Sequence, residues 1–195
     1  MAAKTRAALG LSVHTGRAVV VAVGGPAAAP EILGKGALQV ATTFEEGAVF
    51  HIGQELPLDE ARALIRDSEV RFAERARVLL AAFVAQLGAR LVAAALVAAP
   101  PKALPPIESI LKAHPLVHAA EGELYRRVFS AAAASLGAAP VRVPADALAG
   151  RAAAAAGLTP AKLTALLAAI GKASGKPWAA DQKQATLAAW IALAG

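Results

Sequence analysis

Ala7-Ala-Leu-Gly-Leu-Ser-Val-His-Thr-Gly-Arg-Ala-Val-Val-Val-Ala-Val-Gly-Gly25 reads as two apolar runs, the second rich in valine, joined by a tight polar turn. Apolar, β-branched runs closed by a glycine-containing turn predict a β-hairpin. Its turn region holds Ser12, His14, Thr15 and Gly16, the one cluster of reactive or polar side chains in an otherwise aliphatic segment. Beyond it, Pro26 to Pro30 reads as a turn, and Glu31 to Val40 as a third strand weakened in the middle by Gly34 and Gly36. Three strands in succession with short turns make an antiparallel meander. Residues Ala41 to Glu55 show no sustained period and read as a loop or irregular excursion.

A helix begins after Pro57, which suits a first helical turn, with Asp59 and Glu60 at the positive end of its dipole. Leu58, Ala61, Leu64, Ile65, Phe72, Ala76, Leu79, Leu80, Phe83, Val84 and Leu87 fall on one stripe, so the helix runs to about Gly88. Arg90 to Ala99 is unbroken and apolar after its first residue, as in a strand covered on both faces, and Pro100-Pro101 stops it. Val78 to Ala99 is also long enough to be tested as a membrane span. Gln86, Gly88 and Arg90 interrupt it, and a mid-span arginine costs roughly 3 kcal/mol on insertion, so a helix end followed by a buried strand is the reading.

Further on, a short helix spans about Pro106 to Ala113, and His114-Pro115 is expected to break it because a residue before proline is pushed out of the α region. A second helix follows from about Leu116 to Leu136. Ala139 to Pro144 is a short strand, Asp146 caps a helix ending near Gly157, Thr159-Pro160 starts the next, and Trp178 to Ala194 is the last. The whole, residues 1–195, reads as one domain.

Composition narrows the function classes. Hydrophobic residues make up 57% of the chain but aromatics only 4%, so the apolar content is mostly alanine and the structure is expected to be helix-rich. There is no cysteine, which excludes disulfides, thiolate metal sites and a cysteine nucleophile; the expected compartment is the cytosol, with no membrane partner. The formal charge of +6 is uneven: Lys102 to Gly195 holds ten basic and five acidic residues and so carries +5 of it. That excess is compatible with a polyanion such as nucleic acid, and equally with a solvated basic surface.

The order of elements resembles the ribonuclease H-like superfold, and within it the RuvC-type Holliday-junction resolvases. Those proteins begin with a strand reading roughly G-I-D-x-G before a hairpin and end with an acidic residue opening the final helix. Gly10-Leu11-Ser12-Val13-His14-Thr15-Gly16 stands in the first place here, and Asp181, with Ala185 and Ala189 behind it, in the second. The resemblance implies an α/β, three-layer domain, with the meander continued by parallel strands and helices on both faces. It also implies a cleft in which carboxylates hold two divalent ions across a scissile phosphate. Ser12 stands where the first aspartate would be, and Leu91 to Ala99 contain no carboxylate. The nuclease acids are therefore degenerate, and ordinary two-metal cleavage is not expected.

A refitted cleft is the alternative. His118 and Glu121, three apart, share a helix face. With Ser12, His14 and Asp181 they are the candidate catalytic set, expected to line one cleft, where a divalent cation is compatible with the side chains. Each also has a plainer reading: His14 as a turn residue, His118 and Glu121 as a surface pair, Asp181 as a first-turn acid. His114, four before His118, invites a metal reading, but Pro115 is expected to keep the two rings off one face. A Ser12–His14 nucleophile pair lacks an evident third group to orient the histidine. Gly122, costing roughly 1 kcal/mol in mid-helix, points to something approaching closely there. Arg126, Arg127, Lys176, Trp178 and Lys183 are the candidate nucleic-acid or anion contacts, scattered over several elements. The expected function is a nucleic-acid-associated module. Its competitors are an enzyme acting on a small or phosphorylated substrate and a homo-oligomeric assembly protein packed through alanine-rich helices.

Overall fold

The apolar runs of the opening hairpin become β1 (Arg6–His14) and β2 (Arg17–Gly24), paired antiparallel with His14 opposite Arg17. Gly16 makes the turn at φ 73°, a region that costs glycine nothing and other residues a clash with their own Cβ. The structure is a computed structural model and describes residues 5–26 and 28–195; Ala27, inside the expected turn, lies outside them. β3 (Glu31–Gln39) pairs antiparallel with β2. β4 (Arg90–Val97) lies parallel to β1 on its other side, and β5 (Val141–Val143) runs parallel to β4, giving the order β3-β2-β1-β4-β5. The α/β sheet, a meander continued by parallel strands, is the one the sequence predicts.

The helices are α1 (Phe44–Gly47), α2 (Val49–Gly53), α3 (Leu58–Ala85), α4 (Ile107–Leu111), α5 (His114–Ser135), α6 (Leu148–Ala156), α7 (Pro160–Ser174) and α8 (Ala180–Ala194). They correct the sequence reading in three places. The expected irregular stretch contains α1 and α2, too short to show a period and held by polar bonds instead. The Glu46 N–H donates to the Thr43 hydroxyl oxygen at 3.1 Å, capping α1, while the Glu46 carboxylate accepts from the Thr42 amide and hydroxyl at 2.7 and 2.8 Å. Those two bonds from Thr42, helped by Arg75 and opposed by burial, hold the Glu46 carboxyl down to about 2. The second correction is the break at His114-Pro115. The chain breaks one residue earlier, at Ala113, and Pro115 sits in the first turn of α5, where its missing N–H removes no helical bond. Third, Asp146 lies in a 3₁₀ turn (Ala145–Ala147) that precedes α6.

The apolar run from Val78 to Ala99 divides at Gly88, φ 61°, into the end of α3 and β4. No single helix among the described residues is long and apolar enough to cross a membrane. β4 is fully buried only from Ala94 to Leu96.

The pleat of β1 sorts its side chains between two layers. Leu9 and Leu11 enter a core with Phe72 and Leu80 of α3 and Leu124, Tyr125 and Phe129 of α5. Ala8 faces the other way, with Val21 and Val23, toward Ala185, Ala189 and Leu193 of α8. Trp190, wholly buried, centres a neighbouring cluster in which α8 packs on α6 and α7. Gly10 lies on the α8 side, and a Cβ there would fall on the Ala185 carbonyl and 2.7 Å from the Ala189 amide nitrogen. The helix backbone thus rests directly on the strand, and only glycine permits it.

Candidate functional site

Alternation along β1 carries Ser12 and His14 to the same face as Gly10, under the first turn of α8. That turn is closed by Gln182, whose side-chain oxygen accepts the Ala179 N–H at 2.9 Å. It presents Asp181, where the positive end of the helix dipole favours a carboxylate. Ser12 Oγ donates to Asp181 Oδ1 at 2.9 Å, and His14 Nε2 lies 2.9 Å from that same oxygen. Ser12 is buried, whereas His14 is exposed and Asp181 partly so. Burial pushes the Asp181 carboxyl up, but the bonds from His14 and Ser12, with the charges of His14 and Arg17, outweigh it and hold the group below its ordinary value.

Connectivity decides what this set can do. In a nucleophile relay the serine proton passes to the histidine and the acid orients the imidazole from behind. Asp181 supplies the third group that the sequence left unidentified, but the Ser12 hydroxyl points at the acid and not at His14, so no base is poised on it. A two-ion site of the nuclease type needs several hard oxygen ligands around each ion. This face supplies one carboxylate, with an oxygen already engaged by two partners, beside a hydroxyl and an imidazole, and β4 contributes no carboxylate.

A second polar cluster lies across the sheet, where α5 meets α2. Glu121 is 1% exposed, and its Oε2 accepts the Phe50 N–H at 3.2 Å and lies 2.9 Å from His51 Nδ1. Its Oε1 is buried with no hydrogen-bond partner among the described residues. Burial raises the Glu121 carboxyl above its ordinary value, against the opposing pull of His51 and the Phe50 amide. One turn on, Tyr125 donates its buried hydroxyl to the Gly47 carbonyl at 2.6 Å, and burial together with the charges of Glu121 and Glu46 raises its pKa. Around His51 stand two further imidazoles, His114 and His118, whose Nε2 atoms are 2.9 Å apart.

Of the five residues expected in one cleft, Ser12, His14 and Asp181 come together. His118 and Glu121 do not join them: α5 covers the opposite face of the sheet, and Glu121 turns to His51. The expectation that Pro115 separates His114 from His118 is overturned, because the helix starts at His114 and the spacing of four stacks the rings on one face. His51 was not singled out by the sequence; the signal available was that it is one of only four histidines in the chain.

The basic candidates are largely engaged within the fold. Arg126 folds its guanidinium back over Gly122, 3.2 Å from where a Cβ would stand, and lies 3.8 Å from Glu123. Arg127 forks onto Glu69 at 2.9 and 3.0 Å, joining α5 to α3. Trp178 is half-buried over Gly171, where a Cβ would strike its indole, so one ring face packs inward. Lys176 and Lys183 are exposed. Lys102, Glu123 and Arg126 line a cleft of about 300 Å³ beyond the end of β4.

The sheet order, the parallel β1–β4 pair and the final helix seated against β1 define the ribonuclease H-like fold. No protein-family model matches the chain, and no curated protein does. Among solved structures it is similar to Thermus thermophilus RuvC in complex with a Holliday junction substrate, at 12% identity and a TM-score of 0.54, and to Thermus thermophilus RuvC, at 11% and 0.52. Each match covers 95% of this chain and 91% of the other.

Proposed function

We propose that this protein is a nucleic-acid-binding module on a nuclease fold, one that does not cleave phosphodiesters by the two-metal route. The observation that carries the reading is the hydrogen-bonded set Ser12–Asp181–His14 on the face where β1 meets the final helix. It satisfies the acid with protein donors where a nuclease of this fold would use it on ions. Nucleic acid as the partner is supported by the fold shared with a protein solved in complex with a Holliday junction, and by the +5 carried by residues 102–195. Lys176 and Lys183, two of several exposed cations in residues 102–195, are the ones this reading assigns to phosphate; Arg17 adds charge beside Asp181.

The test is fluorescence anisotropy with labelled four-way junction, duplex and single-stranded DNA, with cleavage followed in magnesium and manganese. If about four phosphates are neutralised, affinity falls roughly a hundredfold between about 50 and about 200 mM salt. Replacing Lys176 and Lys183 together by glutamate weakens binding and flattens that slope. No binding at micromolar protein in low salt sinks the reading. Magnesium-dependent cleavage lost in Asp181→Asn sinks its second half.

A further inference from the structure

Three of the chain's four histidines meet at one place. His51 comes from α2, and His114 and His118 from successive turns of α5. Their ring centroids are 4.4 Å apart for His114 and His118, 4.7 Å for His51 and His118, and 5.4 Å for His51 and His114. One nitrogen from each ring lies within 4.8 Å of the others. Among the described residues this is the one group of three histidine or carboxylate side chains close enough to share an ion.

The surroundings are built for a ligand role. Glu121 takes the Nδ1 side of His51 at 2.9 Å, and the Phe50 amide fixes the same carboxylate oxygen from behind. The tautomer that donates Nδ1–H to the carboxylate leaves the Nε2 lone pair of His51 for a ligand. That is the carboxylate–histidine–metal arrangement that sets tautomer and ring orientation in metal sites. A metal on His51 also places positive charge next to a glutamate that is otherwise buried with one oxygen unpartnered. His114 and His118 are exposed and His51 half-buried, so the open side of the cluster faces solvent.

We propose that His51, His114 and His118 form a binding site for a divalent transition metal of the zinc class, with Glu121 orienting His51 and the remaining coordination position open to water or an anion. Three imidazoles and no thiolate select zinc, cobalt, nickel or copper over magnesium or calcium, which take oxygen ligands. Tetrahedral zinc with bonds of about 2.0–2.1 Å sets its ligand nitrogens about 3.3 Å apart. Metal-free, the Nε2 atoms of His114 and His118 lie 2.9 Å apart, so ligation asks them to separate by a few tenths of an ångström. This site lies across the sheet from Ser12 and Asp181 and is independent of the nucleic-acid reading.

The full chain, stripped with a chelator and dialysed, is titrated with zinc chloride alone by calorimetry, and with cobalt chloride while its visible spectrum is followed. One zinc per chain is expected, together with the intense visible bands of four-coordinate cobalt, bleached when zinc is added. His114→Ala and His118→Ala, exposed positions whose variants keep the circular dichroism of the parent, lose zinc affinity at least tenfold. Glu121→Gln, which still accepts the Phe50 amide, loses about 10–100-fold. His14→Ala leaves zinc affinity unchanged. Stoichiometry well below one overturns the proposal, as does a cobalt spectrum that stays weak and six-coordinate. So does zinc binding that survives His118→Ala or disappears in His14→Ala.

Discussion

The two faces of the central sheet hold the same pair of groups in opposite conditions. On the α8 face Asp181 lies 2.9 Å from His14, and on the α5 face Glu121 lies 2.9 Å from His51. Asp181 sits at a rim, with two side-chain partners on one oxygen, and its carboxyl is held low. Glu121 is enclosed, and its carboxyl is pushed up. Equal distances therefore do not mean equal chemistry. Each carboxylate has two partners on one oxygen, so depth of burial is what decides whether it rests as a settled anion or as one in want of more positive charge.

Breaking one face alone is the strongest way to test that contrast. Gly10→Ala forces a methyl into the backbone of α8, and overpacking against backbone rather than a yielding side chain costs about 3 kcal/mol or more, roughly 6–12 °C in melting temperature for a chain of this size. A thermal melt checks it; an unchanged midpoint means the helix is not seated on the strand as described. Next is Glu121→Ala, which strips the buried Phe50 amide of its acceptor and costs about 2 kcal/mol by denaturant titration. Asp181→Ala, at the rim, costs about 1 kcal/mol or less. If the rim variant proves the costlier, the contrast is wrong.

A smaller effect sharpens the comparison through pH. The folded-state value of Asp181 is depressed, so the stability it contributes is complete above the ordinary carboxylate range and is lost as pH falls through the depressed value. Melting temperature plotted against pH therefore has a shallower acid limb in Asp181→Asn than in the parent. Glu46 follows the same sign, its share being lost on the way down to about 2, and Glu46→Gln flattens the limb further. His14→Ala is expected to be the mildest, about 0.5 kcal/mol at neutral pH, because an exposed ring in water contributes little.

The strands and the longer helices were legible because each repeats its signal: valine runs closed by glycine, a stripe fifteen or more residues long, threonine before proline at the start of α7. What the sequence hid lies where a signal is short or points two ways. Pro115 ends a helix or opens one, depending on whether the preceding residue is already helical, and here it opens one. His51 sits in a five-residue helix that no periodicity can announce. On the site, Asp181 beside Ser12 and His14 followed from the order of elements, whereas His118 and Glu121 could be placed on a helix but not on a face of the sheet. The face is fixed by which side of the sheet α5 crosses to, a property of the chain path and not of any local residue.

The seat that Gly10 provides for α8 joins the first strand to the last helix, with residues 12 and 181 bonded to each other. During synthesis the hairpin leaves the ribosome about 160 residues ahead of that helix, an interval of about eight to thirty seconds at ordinary elongation rates. Throughout it Ala8, Val21 and Val23 lack Ala185, Ala189 and Leu193, the α8 residues they pack against in the finished fold. Until α8 arrives, one side of the sheet in the half-made protein therefore presents apolar surface, and docking of the last helix is the step that covers it.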